Sequence, residues 1–220
     1  MKLTKKSRLL AGIITTGALL VGGLTLAAPA NAAPVSSAIT PSTSTTAVRS
    51  AACVSQLLAI NANADTSVCN ATVVTTAGPV QLASSRSAVA AAVSGQSAQV
   101  QAAAETGTIY YQDWSQTYYS GGTWEIMKGR VYWDSTYVWQ RTHRGYYGNH
   151  TCHAAGSISV GLAISNVRNC NDPSAASSVT LTETFDWSFI VQGTGIQGVC
   201  EMLTKYTKTG GHTASLSGAC

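Results

Sequence analysis

His150-Thr151-Cys152-His153 gathers two imidazoles and a sulfur within four residues, the groups that bind zinc or activate a nucleophile. A zinc site needs three or four ligands, and the companions here are poor: His143 falls in a separate strand pattern and His212 is distant. Cys152 is also expected to be oxidised, and a disulfide sulfur offers no thiolate. Gly148, Asn149 and Gly156 tolerate positive φ, so the expectation is a turn carrying a disulfide, with no metal and no cofactor.

Paired carboxylates offer a second chemistry. Glycosidases place two acids about 5 to 9 Å apart on a concave sheet face. In residues 180–191 (TLTETFDWSFIV), Leu181, Phe185, Trp187, Phe189 and Val191 take the odd positions and Thr, Asp and Ser dominate the even ones, the period of a half-buried strand. Glu183 is the exception on the apolar side. An inward carboxyl has a raised pKa suited to a general acid, and Glu125 or Glu201 would be its partner. The bland alternative puts Glu183 beyond the core or beside Arg168. Serine offers nothing stronger, for no G-x-S-x-G occurs.

A third chemistry is stacking. Residues 123–147 (TWEIMKGRVYWDSTYVWQRTHRGYY) read as two alternating runs meeting at Asp134-Ser135-Thr136-Tyr137. With Ser135-Thr136 as a two-residue loop, Tyr132 faces Trp139, Arg130 faces Arg141, Lys128 faces His143 and Trp124 faces Tyr147. Opposed arginines destabilise a ladder unless an anionic ligand sits there, and a three-residue loop removes the conflict. The ligand-binding candidates are Trp124, Lys128, Arg130, Tyr132, Trp139, Arg141 and Tyr147, rings for sugar faces with cations beside them; the alternative is an ordinary outer face whose rings pack against loops.

The elements that must position these groups follow from composition. Lys2, Lys5, Lys6 and Arg8 precede an apolar stretch over 9–28 and the small-residue exit Ala30-Asn31-Ala32, the parts of a secretory signal spanning 1–32. Four of the thirteen basic residues leave with it, so nine basic and nine acidic residues remain and the chain carries no nucleic-acid footprint. No membrane association is expected after cleavage, and the Ala/Ser/Thr bias has a bacterial look. The product is expected to be secreted and extracellular.

Six cysteines in an exported chain predict three disulfides, and their spacing favours the local couples Cys53–Cys69, Cys152–Cys170 and Cys200–Cys220. Each would stabilise by roughly 3 kcal/mol. The second couple conflicts with the strand pattern, since Ile158, Val160, Leu162 and Ile164 alternate straight through Gly161, where the chain would have to reverse. Either the reversal comes earlier, over 154–157, or the partners differ.

All sixteen aromatic residues lie between Tyr110 and Tyr206. Residues 33–50 read as a Ser/Thr/Pro-rich linker, and 51–106 as a small Ala-rich helical module or pro-segment. Within it a helix over 53–60, a short one running into Cys69 and an Ala-rich helix over 85–105 are expected. Residues 107–220 carry six to eight strands and no crossover helices, which predicts a mainly β fold, an antiparallel β-sandwich of jelly-roll or Ig-like type with a small barrel as the alternative. In aromatic content and strand count alone, this region resembles secreted β-sandwich binding modules. The expected function is binding of extracellular polysaccharide or cell-wall material through an aromatic and cationic surface. The alternatives are a glycoside hydrolase using Glu183 with Glu125 or Glu201, and a structural or inhibitory protein with all its rings in the core.

Overall fold

The computed structural model describes residues 40–84, 108–153 and 162–220. The chain is mainly β, with two antiparallel sheets packed face to face. The larger contains β1 (Ser42–Arg49), β2 (Asn70–Ala77), β3 (Gln81–Ser84), β4 (Ile109–Ser120), β5 (Thr123–Trp133), β6 (Val138–Trp139) and β7 (Asn149–His153). Its order is β1-β2-β4-β5-β6, with β3 also on β4 and β7 also on β5. The smaller runs β11-β10-β9-β8, from β8 (Leu162–Arg168), β9 (Ser178–Val191), β10 (Thr194–Thr207) and β11 (His212–Gly218). No ladder joins the two sheets among the described residues, so the fold is a sandwich and not a closed barrel.

Alternation explains which side chains lie between the layers. On β5 the odd residues Met127, Val131 and Trp133 point inward, as do Leu181, Phe185 and Trp187 on β9 and the even residues Ile196, Met202 and Tyr206 on β10. Full burial of such side chains contributes roughly 1.5–3 kcal/mol each. Polar bridges cross this core as well: Thr204 Oγ1 donates to Gln116 Oε1 at 3.0 Å, and Tyr206 OH donates to Gln112 Oε1 at 3.3 Å.

The single α-helix of the described residues, α1 (Ala51–Ile60), starts at Ser50, whose hydroxyl oxygen accepts from Cys53 N and whose proton goes to the Ala219 carbonyl. It buries Cys53 and Leu57 against the sandwich. A 3-10 turn (Thr66–Cys69) brings Cys69 to Cys53. This is the bridged pair expected there, although the second helix is only one turn. The Ala-rich helix over 85–105 lies outside the described residues.

The expected boundaries need correction. Residues 42–49, read as linker, form β1, and all eight pair with β2, which itself pairs with β4. Residues on both sides of 107 therefore share one sheet and one compact unit. The reason is that an edge strand needs partners on one side only and can expose nearly every side chain, as β1 does. Its Thr and Val content favours strand, but without a buried face it has no apolar alternation to be read.

His150-Thr151-Cys152-His153 is likewise a strand and not a turn. It belongs to β7, where Lys128 pairs with Thr151 and Met127 with Cys152. This resolves the conflict over the second disulfide. All three bridges are the local couples expected, and Cys152–Cys170 joins β7 in the larger sheet to the segment that follows β8 of the smaller, with Cα atoms 5.8 Å apart. The bridge thus links the two layers, with Leu162 and Ile164 on β8, while residues 154–161, where the reversal was expected, lie outside the described residues.

Candidate functional site

The acids come together as the sequence proposes, but in a different setting. Glu125 on β5 and Glu183 on β9 face each other from opposite sheets, and both are 0 % exposed. Glu125 Oε1 accepts from Ile126 N at 3.2 Å. The Glu183 carboxyl is pushed up to about 10, first by burial, then by its hydrogen bond to Glu125 and by repulsion from that neighbour's charge. Burial and the facing Glu125 carboxyl therefore keep Glu183 in its protonated form at neutral pH. Glu201 is not a partner: it alternates with buried Cys200 and Met202 on the other face of β10. Arg168 is not one either, since its Nη1 donates to Asp186 Oδ1 at 2.7 Å. Between two sheets, with neither acid exposed, the pair has no room for a sugar.

The ring platform also needs correction. Of the two loops the sequence left open, the two-residue Ser135-Thr136 forms, with Ser135 at φ 71° and the Asp134 carboxylate accepting from Thr136 N and Tyr137 N. Tyr132 does pair with Trp139. After Trp139, however, the chain leaves the ladder and β7 replaces it. Arg130 then lies opposite Asn149 in place of Arg141, and Lys128 opposite Thr151 in place of His143. Each arginine finds an acid: Arg130 donates to both Asp113 oxygens at 2.7 and 2.9 Å and lies 4.4 Å from the Tyr111 ring, while Arg141 pairs with Asp172. The like-charge conflict is thereby removed.

Trp139 is 0 % exposed and Tyr132 7 %, so neither is a surface contact. Together with Ile109 they form a second small core on the outer side of the larger sheet, packed by Tyr111, Tyr146, Ala83 and Ala175. The Trp139 ring stacks on Tyr132 at 6.0 Å and meets His143 edge-on at 4.9 Å. Burial holds His143 below the ordinary imidazole value, and Arg144 beside it adds to the effect. Tyr147 is 69 % exposed, away from that cluster.

What stays at the surface is a pair the sequence reading did not combine. Gly121 and Gly122, at φ 56° and 86°, close a tight hairpin, and the register that follows sets Tyr119 opposite Trp124 on the outer face. Tyr119 is 44 % exposed and Trp124 is half-buried. On the Tyr119 side opens a cavity of about 470 Å³ whose polar lining includes Arg49, Asn70 and Thr72. Arg49 is oriented by donating to Thr66 Oγ1 at 2.5 Å. Lys128 is exposed two pleat repeats beyond Trp124 on the same side of β5. Counting outward from Gly121-Gly122 reveals this pair in the sequence.

A third cluster involves His150. Its Nδ1 is 2.8 Å from the Asn171 carbonyl oxygen, its Nε2 is 3.5 Å from Cys152 Sγ, and its ring packs on Trp114. Burial lowers its pKa, against opposing effects of the Asn171 carbonyl and of Asp172.

Three cystines on an antiparallel β-sandwich define a class that fits an extracellular protein, and no helix of the described residues is long and apolar enough to cross a membrane. No family model, curated protein or solved structure matches the chain.

Proposed function

We propose that this chain is a secreted, non-catalytic binding module that takes extracellular polysaccharide on the outer face of its larger sheet, at Tyr119 and Trp124. The observation that carries the reading is the cross-strand pair itself, two partly exposed rings on neighbouring strands, of which Tyr119 also lines an open cavity. Rings so placed stack against the apolar faces of sugars, while Arg49, Asn70 and Thr72 at the cavity offer hydrogen bonds to hydroxyls. Lys128 adds attraction for acidic glycans at the same face. Retention on insoluble cell-wall and plant polysaccharides tests this. Wild type is retained, and Tyr119→Ala and Trp124→Ala elute early while circular dichroism shows both variants folded; a wild type that no polysaccharide in a broad panel retains removes the reading.

The hydrolase alternative has one observation in its favour, the convergence of Glu125 and Glu183, and their complete burial against it. Reducing-sugar release by wild type that Glu183→Gln abolishes would reverse that balance.

A further inference from the structure

We propose that Cys152, Cys170 and His150 form a redox-gated site for a soft divalent cation, zinc above all, closed while the disulfide is intact and opened by reduction. This departs from the expectation of no metal, which rested on Cys152 being oxidised.

One Nε2 and two Sγ atoms lie within 4.8 Å of one another, contributed by β7 and by the segment that follows β8. A tetrahedral zinc with Zn–S of about 2.3 Å and Zn–N of about 2.0–2.1 Å sets its nitrogen and sulfur ligands about 3.6 Å apart and its sulfurs about 3.8 Å apart. The nitrogen-to-sulfur spacing is already 3.5 Å. The sulfurs need only separate from bonding distance, and Cα atoms 5.8 Å apart permit that by side-chain rotation.

The imidazole is set for this role. A carbonyl oxygen only accepts, so the contact with Asn171 places the His150 proton on Nδ1 and leaves the Nε2 lone pair directed at Cys152. A metal-bound histidine is commonly oriented in this way, its second nitrogen donating to a carbonyl. The Trp114 ring packed on the imidazole fixes its plane.

Access distinguishes this bridge from the others. Cys170 is exposed and Cys152 half-buried, whereas Cys53 and Cys69 are both buried and the third bridge pairs buried Cys200 with half-buried Cys220. A dithiol reductant therefore reaches it first. The S–S bond takes two electrons and two protons, the reductant becomes its own disulfide, and two thiols result. Binding of the cation releases both thiol protons to solvent, so two thiolates neutralise the 2+ charge. Three protein ligands leave one position open to solvent or an exogenous ligand.

The test uses the full exported protein with its other two bridges intact. Limiting dithiol is added, thiols are alkylated and mapped by mass spectrometry, and Co²⁺ then Zn²⁺ are titrated into the partly reduced protein. Labelling at Cys152 and Cys170 before any other cysteine, one Co²⁺ per chain with a thiolate-to-cobalt charge-transfer band, and displacement by Zn²⁺ are expected; the oxidised protein shows no band. His150→Ala reduces equally readily and binds at least tenfold more weakly. Earlier labelling of another bridge, absence of the band in the reduced wild type, or wild-type affinity in His150→Ala overturns the proposal. Should that variant fail to fold, the reduced wild type decides alone.

Discussion

Glu183 of β9 meets Glu125 of β5 across the interior of the sandwich, and the pair is tolerated because Glu183 keeps its proton. Among the described residues, Glu125 is the titratable group facing it. Arg168 of β8 and Glu201 of β10 lie on the opposite face of the smaller sheet, His150 of β7 is held at Asn171, and the Tyr118 phenol of β4 is raised by burial. A carboxyl whose folded pKa exceeds its unfolded one contributes stability that is complete below the unfolded value, near 4.5, and is lost as pH rises to about 10. Wild-type stability is expected to fall across that window by up to about 1.4 kcal/mol per pH unit. Glu183→Gln flattens the profile and is more stable than wild type at pH 8. Denaturant unfolding at pH 5, 7 and 9 reads both, and a wild-type profile that rises across the window contradicts the buried acid pair.

Trp139→Ala is expected to act through stability. Removing a fully buried indole that stacks on Tyr132 costs about 3–5 kcal/mol. Thermal unfolding checks it, and a folded variant that keeps wild-type stability would mean that the second core is absent.

At Gly129 there is no room for a side chain between β5 and β7. A Cβ there would stand 2.0 Å from the Asn149 carbonyl oxygen, so β7 must shift in Gly129→Ala. The expected cost is about 1–3 kcal/mol, with faster hydrogen exchange confined to β7 and its partner amides.

Thr204→Val keeps the volume of a buried side chain while deleting the donor to Gln116 Oε1. An unpaired buried acceptor costs about 1–3 kcal/mol, and Gln116→Leu placed on top recovers part of it. A double-mutant cycle by denaturant unfolding measures that coupling.

Much of the architecture was legible in the residues themselves. Odd-position apolar residues over 180–191 announce β9, and cysteine spacings of sixteen, eighteen and twenty announce the local bridges. What escaped has identifiable causes. Ser42–Arg49 carries strand propensity but no alternation, because an edge strand exposed on both faces leaves no hydrophobic record. The fate of Trp139 depended on where β6 stops, and nothing in VWQRTH marks that end. Glu125 and Glu183 were separately visible as candidates, but only the layer assignment shows that they share the interior. Tyr119 and Trp124 were fixed by Gly121-Gly122 through simple counting, a local signal overshadowed by the denser aromatic run that follows.

Among the five tryptophans, Trp114, Trp133, Trp139 and Trp187 are buried and Trp124 is half-buried, so iodide quenching of intrinsic fluorescence reports on Trp124. A quenchable component is expected in wild type, absent in Trp124→Phe, and progressively protected as a soluble oligosaccharide of the retained polysaccharide is added. Quenching that the sugar leaves unchanged at concentrations sufficient for retention would contradict binding at the Tyr119–Trp124 face.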